Sequence, residues 1–535
     1  MQSETENAGG DDAAVTAAAR HDYRFLRGLA IASLVLSAAA AFTLNLVDPD
    51  LWGHVAYGRE LLAEGVLPRT ATHTFTAEGY RWINHENIAE VVFAAGFDWL
   101  GVRGMLIAKC LLGVAILLTM YGVARRQGVR SLTVWVLLLL VATNLRAFFP
   151  MRPQLLSFAC CTLMLLLLDR AFRDWRAVSV GGAPDGCRVH WRWLAAAPAL
   201  MVLWVNSHGG FVAGLCILGA LLAGRAVEAI ALERHRSLGV VAGLTAAGVA
   251  ALLATLVNPY GADLVRWLAE SLGSPRPEIT EWAAPKLKDP VFWPFVTLAA
   301  VNAAAWAFTS RRRDWPQLAI LVLVGWQSCM HLRHIAFFAL LSGFWTPPHL
   351  QSVLARLRAR AAEGLPVARI SPVMKWGATA VLGLAMCVQA ADLADRLTKL
   401  PVSRKMYPVD AFDFLSLHGI NGRMVVSFNW AQYALAAFPE SRVSFDGRFR
   451  TCYPQEVVDM NFDFLLGEHR GRRHRSDASG PIDGTRVLEY GDPELVLVDR
   501  NYPHAVRVMQ AEAQKPDGRW TLLYQDAVAQ VWGVK

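Results

Sequence analysis

Seven residues, Asp48-Pro49-Asp50-Leu51-Trp52-Gly53-His54, place two carboxylates, an indole and an imidazole directly after a long apolar run. Proline fixes its own φ and moves Asp48 away from the helical region. In an extended segment residues i and i+2 point to the same side. The expectation is therefore an extended pair, Asp48 and Asp50, facing one ligand at the centre of an active site. Carboxylates held close repel, so such a pair favours a shared proton, a divalent cation or a positive partner. A turn that merely ends a helix would use the same residues, so the decision rests on what else gathers beside them.

The elements around this motif are those of a membrane protein. Of 535 residues 54% are hydrophobic and 18% charged, too apolar a balance for a soluble enzyme. Apolar runs long enough for helices near 26–46, 104–124, 131–149, 154–170, 193–206, 210–226, 238–257, 291–309, 316–331, 335–346 and 374–394 predict about eleven transmembrane helices. The pair flanking His331 can also be read as one broken helix. The first 24 residues are small and acidic; they predict a disordered tail, since a signal peptide needs a basic start and a short apolar core. The eight cysteines show neither a Cys-x-x-Cys pair nor a zinc-type spacing.

Charge then sorts the connections. Arg125, Arg126 and Arg130 fill one; Arg170, Arg173, Arg176, Arg188 and Arg192 another; then Arg225, Arg234 and Arg236; then Arg311 to Arg313; finally Arg356, Arg358, Arg360, Arg369 and Lys375. Every second connection is basic, which makes those cytoplasmic, puts the amino terminus inside and leaves Asp48 and Asp50 outside. The polar motifs played no part in that threading, yet they collect on the outer side. They are the acidic heptad with His54, Trp82-Ile83-Asn84-His85-Glu86, Arg152-Pro153-Gln154, Asn206-Ser207-His208-Gly209-Gly210, Asn258-Pro259-Tyr260-Gly261, Glu281-Trp282 and His331-Leu332-Arg333-His334. Singly, each has a plain explanation as a turn, an interfacial tryptophan or a snorkelling arginine. Together they predict a polar cavity at the lipid boundary, where ionisable residues are functional candidates. A large external loop spans 46–101, and Ile88, Val91, Val92, Ala95 and Trp99 repeat at helical spacing, predicting a surface helix that roofs the cavity.

Residues 401–535 change character. Strand-like runs at 423–428, 442–445, 495–499 and 520–524, with helical patterns at 455–466 and 502–514, predict an extracytoplasmic soluble α/β domain. The run from Arg470 to Arg475 and the following residues to Gly484 predict a flexible, solvated surface loop.

A helix, a large external loop opening on an acidic pair, many further helices and an external α/β domain resemble the GT-C superfamily of membrane glycosyltransferases. That superfamily includes the oligosaccharyltransferase catalytic subunit, protein O-mannosyltransferases and the lipid A aminoarabinose transferase. The acidic heptad, Trp-Ile-Asn-His-Glu, Arg-Pro-Gln, Asn-Ser-His-Gly-Gly and Phe445-Asp446-Gly447-Arg448 look like a bacterial GT-C-like group. The resemblance spans most of 26–535, which becomes a GT-C-like membrane domain over 25–400 followed by the soluble domain. It implies a multi-pass protein of the bacterial inner membrane, moving a sugar from a polyprenyl-phosphate donor to an envelope glycan, lipid or protein acceptor. Membrane lipids, and not nucleic acid, are the expected surroundings. By the same resemblance Asp48 or Asp50 is the general base or binds the acceptor, with Mg or Mn a candidate cofactor at the pair. Arg152, His208, Arg333 and His334 are candidates for stabilising the leaving phosphate, with His54, His85 and Glu86 as further substrate contacts. Asn429-Trp430-Ala431-Gln432-Tyr433 replaces the Trp-Trp-Asp-Tyr-Gly acceptor motif of oligosaccharyltransferases, which argues against peptide recognition. A transporter, a non-catalytic scaffold and a hydrolase with metal on His54, His85 and His208 are the competing classes.

Overall fold

In lipid every backbone N–H and C=O must be paired within its own segment, so apolar runs can only close into helices, and each of the eleven predicted runs is helical. The computed structural model describes residues 22–45, 47–175, 187–233, 237–273, 275–362, 371–468 and 473–535. The bundle comprises α1 (Asp22–Thr43), α3 (Asn87–Arg126), α4 (Ser131–Leu145), α5 (Gln154–Ala171), α6 (Trp191–Leu194), α7 (Ala197–Val205), α8 (Phe211–Glu233) and α9 (Leu238–Ala254). It continues through α11 (Phe292–Phe308), α12 (Trp315–Met330), α13 (Ile335–Trp345), α14 (Pro347–Ala362) and α15 (Pro372–Arg396). Among the described residues six of these helices are long and apolar enough to cross a membrane. Four shorter apolar helices, Trp191–Val205, Leu238–Ala254, Phe292–Phe308 and Leu332–Trp345, accompany them. The chain is a multi-pass membrane protein. All of α13 is buried against α4, α5 and α12, while its break from α12 at half-buried His331 lines a cavity, where irregular backbone is tolerated.

Among the described residues the loop side of the bundle carries helices of its own. α2 (Leu51–Glu64), which no periodicity had announced, ends at Gly65 in the left-handed conformation, with the Gly65 N–H returning to the Leu61 carbonyl. It packs against the first part of α3, and Gly58 lets it: a Cβ there would come within 2.1 Å of the Glu90 carbonyl. The surface helix predicted for 86–100 is the first part of α3. Gly101, at φ 64° and ψ −177°, breaks the backbone and turns the chain into the spanning part, a conformation reserved for glycine. Trp99, just before the break, is 85% exposed, as a lipid-facing anchor would be. A short amphipathic helix, α10 (Ala262–Leu272), lies on the same side.

The carboxy-terminal sheet has the order β2-β1-β3-β5-β4, built from β1 (Arg423–Val426), β2 (Arg442–Val443), β3 (Leu495–Asp499), β4 (Trp520–Gln525) and β5 (Ala529–Val534). β1 is parallel to β2 and β3, and β5 runs antiparallel between β3 and β4. All five residues of β3 are buried, as in a central strand covered on both faces. The helices are α16 (Val409–Leu417), α17 (Phe428–Ala437), α18 (Gln455–Leu466), α19 (Arg486–Glu489) and α20 (Pro503–Gln514). The four expected strands and both expected helices are present; β5, α16 and α17 were not foreseen. Tyr57, Phe75 and Trp82 of the long loop lie in the same core as Phe445, Tyr453 and Val496, and Thr74 bridges to Val443 beside β2.

Two expectations are corrected. The predicted tail lies outside the described residues as far as residue 21, but helix α1 already begins at Asp22. The basic run is not a solvated loop where it is described: Arg473 is buried on Asp463 at 2.5 Å, and Arg475 donates to both oxygens of the same carboxylate at 3.0 Å. Ser476 and Ser479 likewise donate to Asp459, so this stretch is a pinned turn. A carboxylate buried on α18 needs such partners, and nothing in the local sequence reveals that it is there. Residues 470–472 of the run lie outside the described residues.

A candidate active site between bundle and carboxy-terminal domain

Asp48 and Asp50 do converge on one ligand, but by a turn and not by extension. Asp50 has φ −74° and ψ −18° at the start of α2, and its N–H donates to Asp48 Oδ1 at 3.0 Å, an Asx turn. The ligand is Arg152, in the α4–α5 connection. Its Nε lies 3.2 Å from Asp48 Oδ1, its Nη2 2.5 Å from Asp50 Oδ2 and its Nη1 2.6 Å from Glu281 Oε1. One guanidinium is thus shared among three carboxylates. Burial opposes the Arg152 cation, but Asp50, Asp48 and Glu281 outweigh it and hold the group above the usual arginine range. Asp48 is pushed up to about 6 by burial, with the Asp50 and Glu281 charges adding to it against the pull of Arg152.

The carboxy-terminal domain closes over the pair through Phe445-Asp446-Gly447-Arg448. Asp446 and Arg448 form a fully buried ion pair, Arg448 Nη2 to Asp446 Oδ2 at 2.8 Å, and Tyr453 donates to the same oxygen at 2.8 Å. The Arg448 guanidinium lies 4.6 Å from the Tyr57 ring and 4.7 Å from the Trp82 ring, and donates to the Thr72 carbonyl at 2.6 Å. This clasps the long loop to the domain and sets the Gly447 backbone on Asp50: a Cβ at 447 would stand 2.4 Å from Asp50 Oδ1. Gln432 of α17 lies equally close to Gly53.

Three histidines surround Glu86. His208 Nε2 is 3.7 Å from its carboxylate and His54 Nε2 is 4.0 Å away. His85 contributes to the same field. Burial raises Glu86, but His54, His85, His208 and Arg152 together bring it below the usual value. His208 Nδ1 accepts from the Gly210 N–H at 3.0 Å. Neutral His208 therefore carries its proton on Nε2, facing Glu86; burial lowers its pKa to about 3, so it stays neutral. His54 also faces Glu90 at 3.6 Å, and the Glu90 and Glu86 carboxylates raise it against the opposing effect of burial. The three imidazoles converge on the Glu86 carboxylate. Among the described residues no three His, Cys, Asp or Glu side chains form a group able to hold a metal ion. Both members of the acidic pair are drawn onto Arg152.

All nine candidate residues, Asp48, Asp50, His54, His85, Glu86, Arg152, His208, Arg333 and His334, line one cavity of about 820 Å³. Its far wall adds Arg276 and Arg450, which belong to none of the motifs above, to Trp282 and Arg333, which do. Trp282 is flanked by Arg276 at 5.0 Å and Arg333 at 4.7 Å from its ring centroid, with Arg450 of the carboxy-terminal domain beside them. The signal for Arg276 was weak but present: Pro275-Arg276-Pro277-Glu278 is a charged, proline-bracketed stretch. Trp52, Trp82 and Trp204 do not form a lipid belt. Trp82 and Trp204 are buried at 2% and 0% exposure, and Trp52 packs edge-on against Tyr407 and Tyr433. Towards the bundle the cavity continues over apolar faces, Ala213, Ile217 and Ala220 of α8 opposite Ile320, Leu323 and Val324 of α12.

No family model matches the sequence, and no curated protein matches it. Solved structures do, and they define the class: the chain has the fold of the GT-C membrane glycosyltransferases. One is ArnT from Cupriavidus metallidurans bound to undecaprenyl phosphate, with TM-score 0.53 and 14% identity over 94% of this chain and 97% of that one. Another is the apo oligosaccharyltransferase of Archaeoglobus fulgidus, with TM-score 0.52 and 12% identity over 88% of this chain and 69% of that one. The A. fulgidus oligosaccharyltransferase AglB in complex with an inhibitory peptide and a dolichol-phosphate aligns at TM-score 0.50 and 11% identity, over 90% and 70% of the two chains.

Proposed function

We propose that this protein is a glycosyltransferase that moves a sugar from a polyprenyl-linked phosphate donor to an acceptor at the outer face of a bacterial inner membrane. The observation that carries the reading is the form of the cavity. One wall holds an acidic pair, another holds guanidinium groups, and the floor runs out along apolar helix faces. An amphiphile with an anionic head and a sugar fits such a space, and structural neighbours are complexes with lipid phosphates, ArnT with undecaprenyl phosphate and AglB with a dolichol-phosphate.

The residues then take definite roles. The acceptor hydroxyl loses its proton to the acidic pair, Asp48 being the member whose pKa lies near the working range. Its oxygen bonds to the anomeric carbon, the bond from that carbon to the phosphate oxygen breaks, and the phosphate leaves with the electron pair. Arginines on the far wall and neutral His208 donate to the developing charge, and Arg152 keeps Asp50 and Asp48 from repelling each other. Polar groups gathered at helix ends on one side, and not midway along broken helices, disfavour a transporter.

The test is complementation. In cells lacking the gene, Asp48→Asn, Asp50→Asn and the double variant, each at wild-type level, should let the polyprenyl-linked sugar pool accumulate. Transfer should fall by about 10²–10⁴ as a positioned base is lost. Normal turnover in all three variants would leave a scaffold as the function.

A further inference from the structure

The carboxy-terminal domain brings one carboxamide to the acidic pair. Gln432 on α17 is 3% exposed, lines the cavity and makes no hydrogen bond among the described residues. Its Oε1 is buried without a donor, so the end of the amide open to the cavity is Nε2. The N–H end beside the Asp50 carboxylate is also the orientation that charge favours. Buried amides are ordinarily paired, and an unpaired one calls for a reason. Packing holds this one in place. A Cβ at Gly53 would come within 2.5 Å of Gln432 Cδ, and one at Gly447 within 2.7 Å of Gln432 Nε2. Glycines from two separate motifs thus make a slot for a single side chain. α17 is kept against α2 by Trp52, whose ring lies 4.7 Å from that of Tyr433 and 5.1 Å from that of Tyr407.

The place a Gly447 Cβ would take is 2.7 Å from Gln432 Nε2 and 2.4 Å from Asp50 Oδ1, so these two atoms are neighbours. Asp50 spends its other oxygen on Arg152 at 2.5 Å, and Oδ1 makes no hydrogen bond among the described residues. A donor and an acceptor thus stand side by side on the cavity wall, each without a protein partner. A hydroxyl suits both, because its one oxygen donates to the carboxylate and accepts from the amide. A peptide group divides donor and acceptor between two atoms, an ammonium has no lone pair for the Gln432 N–H, and a phosphate or carboxylate is repelled by Asp50. The Asp48 and Asp50 carboxylates share one guanidinium, so a small ligand on one reaches the other. With Asp48 taking the proton of the attacking hydroxyl, the group seated on Asp50 is a second hydroxyl of the same molecule. We propose that Gln432 and Asp50 Oδ1 form this seat, which makes Gln432 a specificity-determining residue and the acceptor a polyol such as a sugar ring, in place of a lone side-chain alcohol. This rests on the transferase reading above and specifies its acceptor class.

The experiment adds purified full-length protein to a detergent extract of membranes from cells lacking the gene, which holds the accumulated polyprenyl-linked sugar and the native acceptor. It follows sugar passing from the lipid-linked fraction to that acceptor, with glycerol or 1-propanol as competing probes. Glycerol, with hydroxyls on neighbouring carbons, should halve transfer at a concentration about tenfold below that of 1-propanol. Gln432→Met, similar in length and without hydrogen bonds, should bring the two probes within about threefold of each other. It should also raise the quantity of extract needed for half-maximal rate about tenfold while the limiting rate changes by less than about threefold. Its thermal unfolding temperature should match that of the wild type, since no protein hydrogen bond is lost. Gln432→Glu, which removes the donor and repels Asp50, should lose the discrimination as well. A wild type that does not distinguish glycerol from 1-propanol, or a folded Gln432→Met protein that still does, overturns the seat and leaves the transferase reading standing. The wild-type comparison needs no variant, so it decides even where a variant fails to fold. No transfer by the wild type overturns both.

Discussion

The acidic pair makes its own pH prediction. A base with a pKa near 6 is active only when ionised, so transfer should rise with pH through about 6 and level off above it. Arg152 is the group that pulls Asp48 down, so Arg152→Gln should move the acid limb of the pH–rate profile to higher pH as well as slowing the reaction. A limb that stays in place would remove Asp48 from the titrating role. Gly447 gives a second test at the same scale. In Gly447→Ala the added Cβ, 2.4 Å from Asp50 Oδ1, must push the carboxylate off Arg152. A displacement of about 1 Å can cost roughly 10²-fold, so this variant should lose transfer while keeping a thermal unfolding temperature close to that of the wild type. Loss of folding in place of activity would make Gly447 a packing residue only.

At the scale of elements, two joints hold the site together. Arg448 clasps α2 and the long loop to the carboxy-terminal domain, and its removal strands Asp446 in the core without a counter-charge. Arg448→Gln should destabilise by about 3–5 kcal/mol. Arg448→Lys should recover little, because an ammonium cannot fork onto Asp446 while lying between the Tyr57 and Trp82 rings. Chemical denaturation of the domain fluorescence would measure both. The other joint is Gly101, whose φ of 64° with ψ −177° lets α3 change from surface helix to spanning helix. Gly101→Ala should cost about 1–3 kcal/mol, and a neutral outcome would mean that the break can relocate.

For the whole molecule, the polar cavity and the arginine-rich end lie at opposite ends of α3, with Glu86 at one terminus and Arg125 and Arg126 at the other. If the basic end is cytoplasmic, reporter fusions at residues 60, 207 and 450 should read as external and those at 128 and 312 as internal. A carboxy-terminal domain cleaved by protease only from the cytoplasmic side would invert the scheme and place the chemistry on the other membrane face. At the arginine-rich end Arg225 bonds Glu228 at 2.7 Å and also pairs with Asp314, while Trp175 donates to Glu228 at 2.8 Å. Those charges join helices at that end.

What the sequence determined by itself was whatever short-range patterning encodes. The apolar runs became helices because lipid admits little else, and Leu495–Asp499 and Gln455–Leu466 declared themselves by composition and period. Alternating arginine gave a sidedness that gathered all nine candidate residues, and they line one cavity. Only the tertiary structure decided how they meet. Proline before Asp50 pointed to an extended pair, but the Asx bond and the start of α2 made a turn. Arg152, which holds that pair, stands 102 residues beyond Asp50 with no local pattern linking them. Asp463 pinned Arg473 and Arg475 of an apparently solvated arginine run, Arg448 drew the long loop into another core, and Arg276 and Arg450 joined Arg333 around Trp282 from separate parts of the chain. Periodicity reports which face of an element is buried; which distant charge lies opposite is fixed only when the elements pack, because desolvated ions must find partners wherever the fold brings them.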